Sequence, residues 1–151
     1  MNHREHRDQL DGSTASDRET FFDFEEEPDP ALNRITNAII GCAIAVHRTL
    51  GPGFLESVYE NAMAIEMTKR GIRFVKQARF DVLYEGHSVG EGRLDFLVED
   101  EIVLELKAIE AVLPVHKAIV FSYLKATGKR LAIVINFHSK VVKDGIRRFA
   151  C

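Results

Sequence analysis

The sequence predicts an α/β domain with the element order α-α-β-β-β-α-β. Three observations carry that expectation. Leu32, Ile35, Ile39, Ala43 and Val46 recur at three- and four-residue spacing, which is the stripe of an amphipathic helix. Strand-like segments then follow one another between residues 74 and 108, broken by Glu85-Gly86. Near the end, Leu131 to Phe137 is a continuous apolar run rich in Ile and Val, the pattern of a strand covered on both faces.

The elements follow in chain order. Asp29-Pro30 is a good N-cap and first-position pair, so the first helix begins there and stops near Leu50, at Gly51-Pro52-Gly53. A second helix is expected from about Phe54 to Arg70, with Gly71 at the C′ position. Three strands come next: Phe74–Tyr84, His87–Val98 with Gly90 and Gly92 loosening its start, and Ile102–Ala108. Pro114 opens a helix that ends at Thr127-Gly128. Val141 to Phe149 adds a short strand or a short helix, and the pattern does not choose between them.

A length of 151 residues suggests one domain, and 46% hydrophobic content is ordinary for a globular chain. No apolar run approaches the ~20 residues of a membrane span, and the acidic N-terminus does not read as a signal peptide. Cys42 and Cys151 lack metal-ligand spacing, which points to a reduced, cytoplasmic protein. His47, His87, His116 and His138 show no zinc-like spacing either. The net charge of −3 is unevenly spread: about −7 on residues 1–30 and about +4 on the rest. Residues 1–28 read as a disordered acidic tail and 29–151 as the folded domain. Phe21, Phe22 and Phe24 break the tail's polarity and could dock on the body or on a protein partner. Arg93, Lys117, Lys125, Lys129, Arg130, Lys140, Lys143, Arg147 and Arg148 are candidate phosphate contacts.

The chemistry-bearing stretch is Arg93 to Lys107. Leu94, Phe96 and Val98 would share one strand face, and Ile102, Leu104 and Leu106 one face of the next. For these sets to meet, 98 must pair with 102, 96 with 104 and 94 with 106. That register makes Glu99-Asp100-Glu101 the loop and sets Asp95 across from Glu105, with Cβ atoms about 5 Å apart and Lys107 on the same face. Two carboxylates so placed repel unless a hard cation binds between them. A metal beside a lysine suits phosphodiester hydrolysis.

Asp95, nine residues, then Glu105-Leu106-Lys107 resembles the D-x(n)-E-x-K core of PD-(D/E)XK nucleases. Upstream, Gly53-Phe54-Leu55-Glu56-Ser57-Val58-Tyr59 reads as G-x-x-E-x-x-Y. With Leu113-Pro114-Val115-His116, Ser122-Tyr123-Leu124-Lys125, Ile135-Asn136-Phe137 and Lys143-Asp144-Gly145-Ile146, the chain resembles the GxxExxY proteins of that superfamily over residues 31–149. The resemblance implies a restriction-endonuclease-like core, a mixed central sheet flanked by helices. It implies that Glu56, Asp95 and Glu105, with the backbone carbonyl of Leu106, ligate Mg²⁺ or Mn²⁺, and that Lys107 is the catalytic lysine. Tyr59, Tyr123 and His116 are accessory candidates. Read without the resemblance, Glu56 is an exposed acid in a first helical turn, Tyr59 a core aromatic with its hydroxyl at the edge, and His116 a helix cap.

One position departs from the pattern. Relatives carry Gln, three residues, then Tyr on the helix after the lysine strand, and here Ile119 stands in place of the Gln before Tyr123. Isoleucine offers no hydrogen bond. Two functions therefore stay open: a divalent-metal-dependent nuclease hydrolysing DNA or RNA, and a nuclease-fold module that binds nucleic acid or a protein without turnover. A homodimer would fit the first, and the acidic tail could cover the basic body.

Overall fold

Residues 18–21 and 29–151 are described in the computed structural model. The first helix, α1 (Pro30–Leu50), starts and stops where its caps dictate. Asp29 Oδ1 accepts from the Ala31 amide at 2.9 Å, and Gly51 takes φ +69° while its N–H donates to the His47 carbonyl. The second helix, α2 (Glu56–Lys69), begins two residues later than the sequence suggested, because Leu55 is extended and serves as its N-cap. At its end Gly71 N–H bonds Thr68 O and Ile72 N–H bonds Met67 O, the paired bonds of a Schellman motif closed by a left-handed glycine.

The strands are β2 (Phe74–Tyr84), β3 (His87–Val98), β4 (Ile102–Lys107), β5 (Leu131–Asn136) and β6 (Ile146–Ala150), and α3 (Pro114–Thr127) crosses from β4 to β5. The uncertain last segment holds both alternatives: a 3-10 turn over Val142–Gly145, then β6. As expected, the start of β3 is irregular beside Gly90, where the register with β2 shifts between Val82 and Leu83. Gly92 lies under the Phe80 ring, which a Cβ there would strike.

Four residues of the expected disordered tail form a strand instead: Arg18–Phe21 is β1 and pairs antiparallel with β6. An unpaired β6 edge would leave backbone groups unsatisfied, which favours such pairing. The rest of the tail, with Phe22 and Phe24, lies outside the described residues.

The sheet order is β1-β6-β5-β4-β3-β2. β4 and β5 run parallel and the other neighbours antiparallel, giving the expected mixed sheet. One face packs on α1 and α2 through Ile39, Ala43, Tyr59, Met63, Phe96, Leu104 and Ile135. The other packs on α3 through Val103, Val120, Leu124, Val134 and Phe149. Helices thus cover both faces, and all six residues of β5 are buried, as its unbroken apolar run requires.

Candidate active site

The β3–β4 hairpin follows the predicted register from its turn as far as Phe96–Leu104. Leu94 and Leu106 do not continue that ladder. Instead the two acids bridge the strands. The Asp95 N–H donates to Glu105 Oε2 at 2.8 Å, and the Leu106 N–H donates to Asp95 Oδ2 at 2.8 Å. Each carboxylate thereby satisfies a strand amide that the ladder has released. The faces also shift at this point. Leu94 packs with the cluster beneath α3, whereas Phe96 and Val98 pack beneath α1 and α2. The expectation that all three share a face fails because the strand is irregular at Asp95.

Electrostatics show what surrounds the acids. Glu105 is only 6% exposed. Burial, reinforced by the Asp95 charge, pushes its carboxyl up to about 8. Asp95 is also raised, chiefly by burial, although the Leu106 amide pulls the other way. Glu56, in the first turn of α2, is raised by burial and then by Asp95, with Lys107 opposing. From α3, burial raises the Tyr123 phenol, with Glu105 and Asp95 adding to it. Asp95 and Glu105 are thus joined where β3 and β4 leave their ladder, within electrostatic reach of Glu56, Lys107 and Tyr123.

Local structure places each of them. Glu56 is set by the loop before α2, where Gly53 takes φ +116°. The Tyr59 hydroxyl donates to Gly51 O at 2.5 Å and accepts from the Phe54 N–H at 3.2 Å. Its ring is fully buried and stacks on Phe137 at 4.5 Å. Tyr59 is thus the core aromatic of the residue-level reading, and its hydroxyl serves the loop rather than the acids. Lys107 is anchored through its backbone, since its carbonyl accepts from the Phe137 N–H. Asn136, beside it on β5, exchanges hydrogen bonds with Ile109 and so fixes the chain after the lysine. Phe80 meets the Tyr123 ring edge-on at 5.2 Å.

A family model of the PD-(D/E)XK nuclease superfamily matches residues 33–149. The chain belongs to the PD-(D/E)XK nuclease superfamily. No curated protein and no solved structure matches it. As in the superfamily's motif, the two acids and the lysine of this nuclease-like domain lie on adjacent strands.

The remaining candidates of this PD-(D/E)XK chain divide. His116 Nδ1 accepts from the Leu113 N–H at 2.8 Å, so it caps α3. Ile119 is 41% exposed one turn before Tyr123. Among the basic residues, Lys129 pairs with Asp100, Arg130 with Asp29, and Arg147 bonds main-chain carbonyls. Arg148 is buried, while Arg93, Lys125, Lys140 and Lys143 are exposed. One acid escaped the sequence reading: Glu60, whose charge acts on both Glu56 and Asp95. Its signal was present, since a residue four beyond Glu56 shares its helix face.

Carboxylates are the residue type that a hard divalent cation takes. Carboxylates crowded until their protons are held tightly are relieved by a hard cation, which takes oxygen ligands. As arranged, Asp95 and Glu105 spend an oxygen each on strand amides. Among the described residues, no three His, Cys, Asp or Glu side chains converge on one point.

Proposed function

We propose that this chain is a divalent-metal-dependent nuclease of the GxxExxY type, hydrolysing phosphodiester bonds of DNA or RNA. The observation that carries the reading is the bridge of Asp95 and Glu105 across β3 and β4, with Lys107 two residues beyond Glu105. A buried and a half-buried carboxyl side by side at a ladder end are costly as mere structure. They gain a purpose if a cation and a phosphate bind there.

In this reading Glu56, Asp95, Glu105 and the Leu106 carbonyl hold Mg²⁺ or Mn²⁺. The bound ion would supply charge against the phosphate and acidity to a water. Lys107 donates to the attacking water or to a non-bridging phosphate oxygen, where negative charge grows. Hydrolysis adds water across one P–O bond and leaves a phosphate monoester and an alcohol. Tyr123 closes the α3 side of the site. Arg93, Lys125, Lys140 and Lys143 are the exposed cations that could meet the flanking backbone.

The test is cleavage of single- and double-stranded DNA and RNA by the purified chain in Mg²⁺ and in Mn²⁺. Product that needs the metal and vanishes in Asp95→Asn and Lys107→Ala supports the assignment. Cleavage retained in both variants removes it. Ile119 favours the second reading, a module that binds without turnover, because it leaves α3 without the expected polar group. That reading requires salt-dependent binding and no product in either metal.

A further inference from the structure

Gln77 stands out on β2. Its φ is +54°, a region that residues other than glycine rarely adopt. Between Phe74 and Val82 it is the one residue without a ladder partner on β3, and the residue opposite it in the unbroken register is Asp95. Its side chain is exposed, so packing does not force the conformation.

The hydrogen bonds show what the conformation achieves. Neighbouring residues of a regular strand point to opposite faces. Here Lys76 and Gln77 both reach α2: Lys76 Nζ donates to Asn61 Oδ1 at 2.7 Å, and Gln77 Nε2 donates to Glu60 Oε1 at 2.6 Å. The left-handed residue turns a side chain that would face away back toward the helix. Its target, Glu60, lies one turn beyond Glu56. Outliers of this kind persist where the surroundings over-determine them, and they gather at working sites.

We propose that Gln77 is a positioning residue, whose inverted backbone and amide hold Glu60 toward Glu56 and Asp95 so that Glu60 adds its charge to a cation-binding site. The inference rests on the metal-dependent reading above and deepens it. Glu60 strengthens cation binding without being required as a ligand. Gln77 acts only through Glu60.

The experiment is calorimetric titration of Mn²⁺ into the full chain, with thermal midpoints measured alongside, for the wild type, Gln77→Gly, Glu60→Gln, the double variant and Asp95→Asn. Glycine tolerates positive φ, so Gln77→Gly should melt at or above the wild type, by up to about 2–4 °C. Even so, it should bind Mn²⁺ about three- to tenfold more weakly, as should Glu60→Gln. The double variant should bind no worse than either single one, because the two act as a unit. A merely structural Gln77 would change the melting and leave the Mn²⁺ affinity alone. Wild-type affinity in Gln77→Gly and Glu60→Gln, with binding lost in Asp95→Asn, overturns this inference and leaves the site standing. Full binding in Asp95→Asn, or no saturable binding in the wild type, overturns both.

Discussion

The two ends of the β3–β4 hairpin hold the same kinds of residue and treat them in opposite ways. At the turn, Glu99 and Asp100 sit at φ +51° and +59°, and both are compensated. Glu99 accepts from the Arg73 amide and guanidinium, and Asp100 pairs with Lys129. The Arg73 amide, with the guanidinium beside it, holds the Glu99 carboxyl below the usual range. At the open end, Glu105 is pushed up to about 8 by burial and by Asp95, with Lys107 as the nearby cation. One end uses charge to fasten a turn, and the other keeps charge unbalanced. Acids whose environment opposes their ionisation are candidates for chemistry, whereas acids with matched partners are structure.

Substitution at the open end should produce the largest effect. Asp95→Asn or Lys107→Ala should lower metal-dependent cleavage by about a hundredfold or more, with circular dichroism unchanged. Comparable losses from Glu99→Gln would erase the contrast between the ends.

Acidity should separate the ends next. Glu105 is raised above its unfolded value, so its protonated form stabilises the fold at low pH. That contribution is present below about 4.5 and is lost as pH rises toward about 8. Urea melts of the metal-free chain should therefore show declining stability over that window, and Glu105→Gln should flatten the decline. Glu99 has the reverse sign. Its contribution is present above its unfolded value and is lost on acidification.

The open end also depends on supports outside the hairpin. Tyr59→Phe should cost about 1–3 kcal/mol in urea unfolding, since it strips the partners of the Gly51 carbonyl and the Phe54 amide. It should also weaken cleavage through Glu56. The smallest change belongs to the turn. Glu99→Gln should cost under about 1 kcal/mol, because the Arg73 pair is exposed to solvent. A larger loss would show that the turn is more than a fastening.

Most element boundaries were legible because their causes are local. The Asp29 cap, the left-handed Gly71 and Gly128, and the Leu131–Phe137 run each act within a few residues. The hairpin register was legible near its turn, where alternation and loop length fix it. That Asp95 lies on one strand and Glu105 and Lys107 on the next followed from the same alternation, whereas the expectation for Glu56 came from the resemblance to a known family.

By itself, then, the sequence determined the order of elements, the mixed α/β class, and the strand positions that carry acids and lysine. Tertiary structure alone decided that Asp95 and Glu105 would bridge strand amides rather than sit opposite each other in a ladder. It also turned Leu94 toward α3, brought Gln77 back to Glu60, gave the Tyr59 hydroxyl to the α1–α2 loop, and set β1 on the edge of β6. The physical reason is range. Caps, turns and alternation are set by neighbours along the chain, whereas ladder breaks and side-chain bridges depend on how twisted strands meet helices distant in sequence.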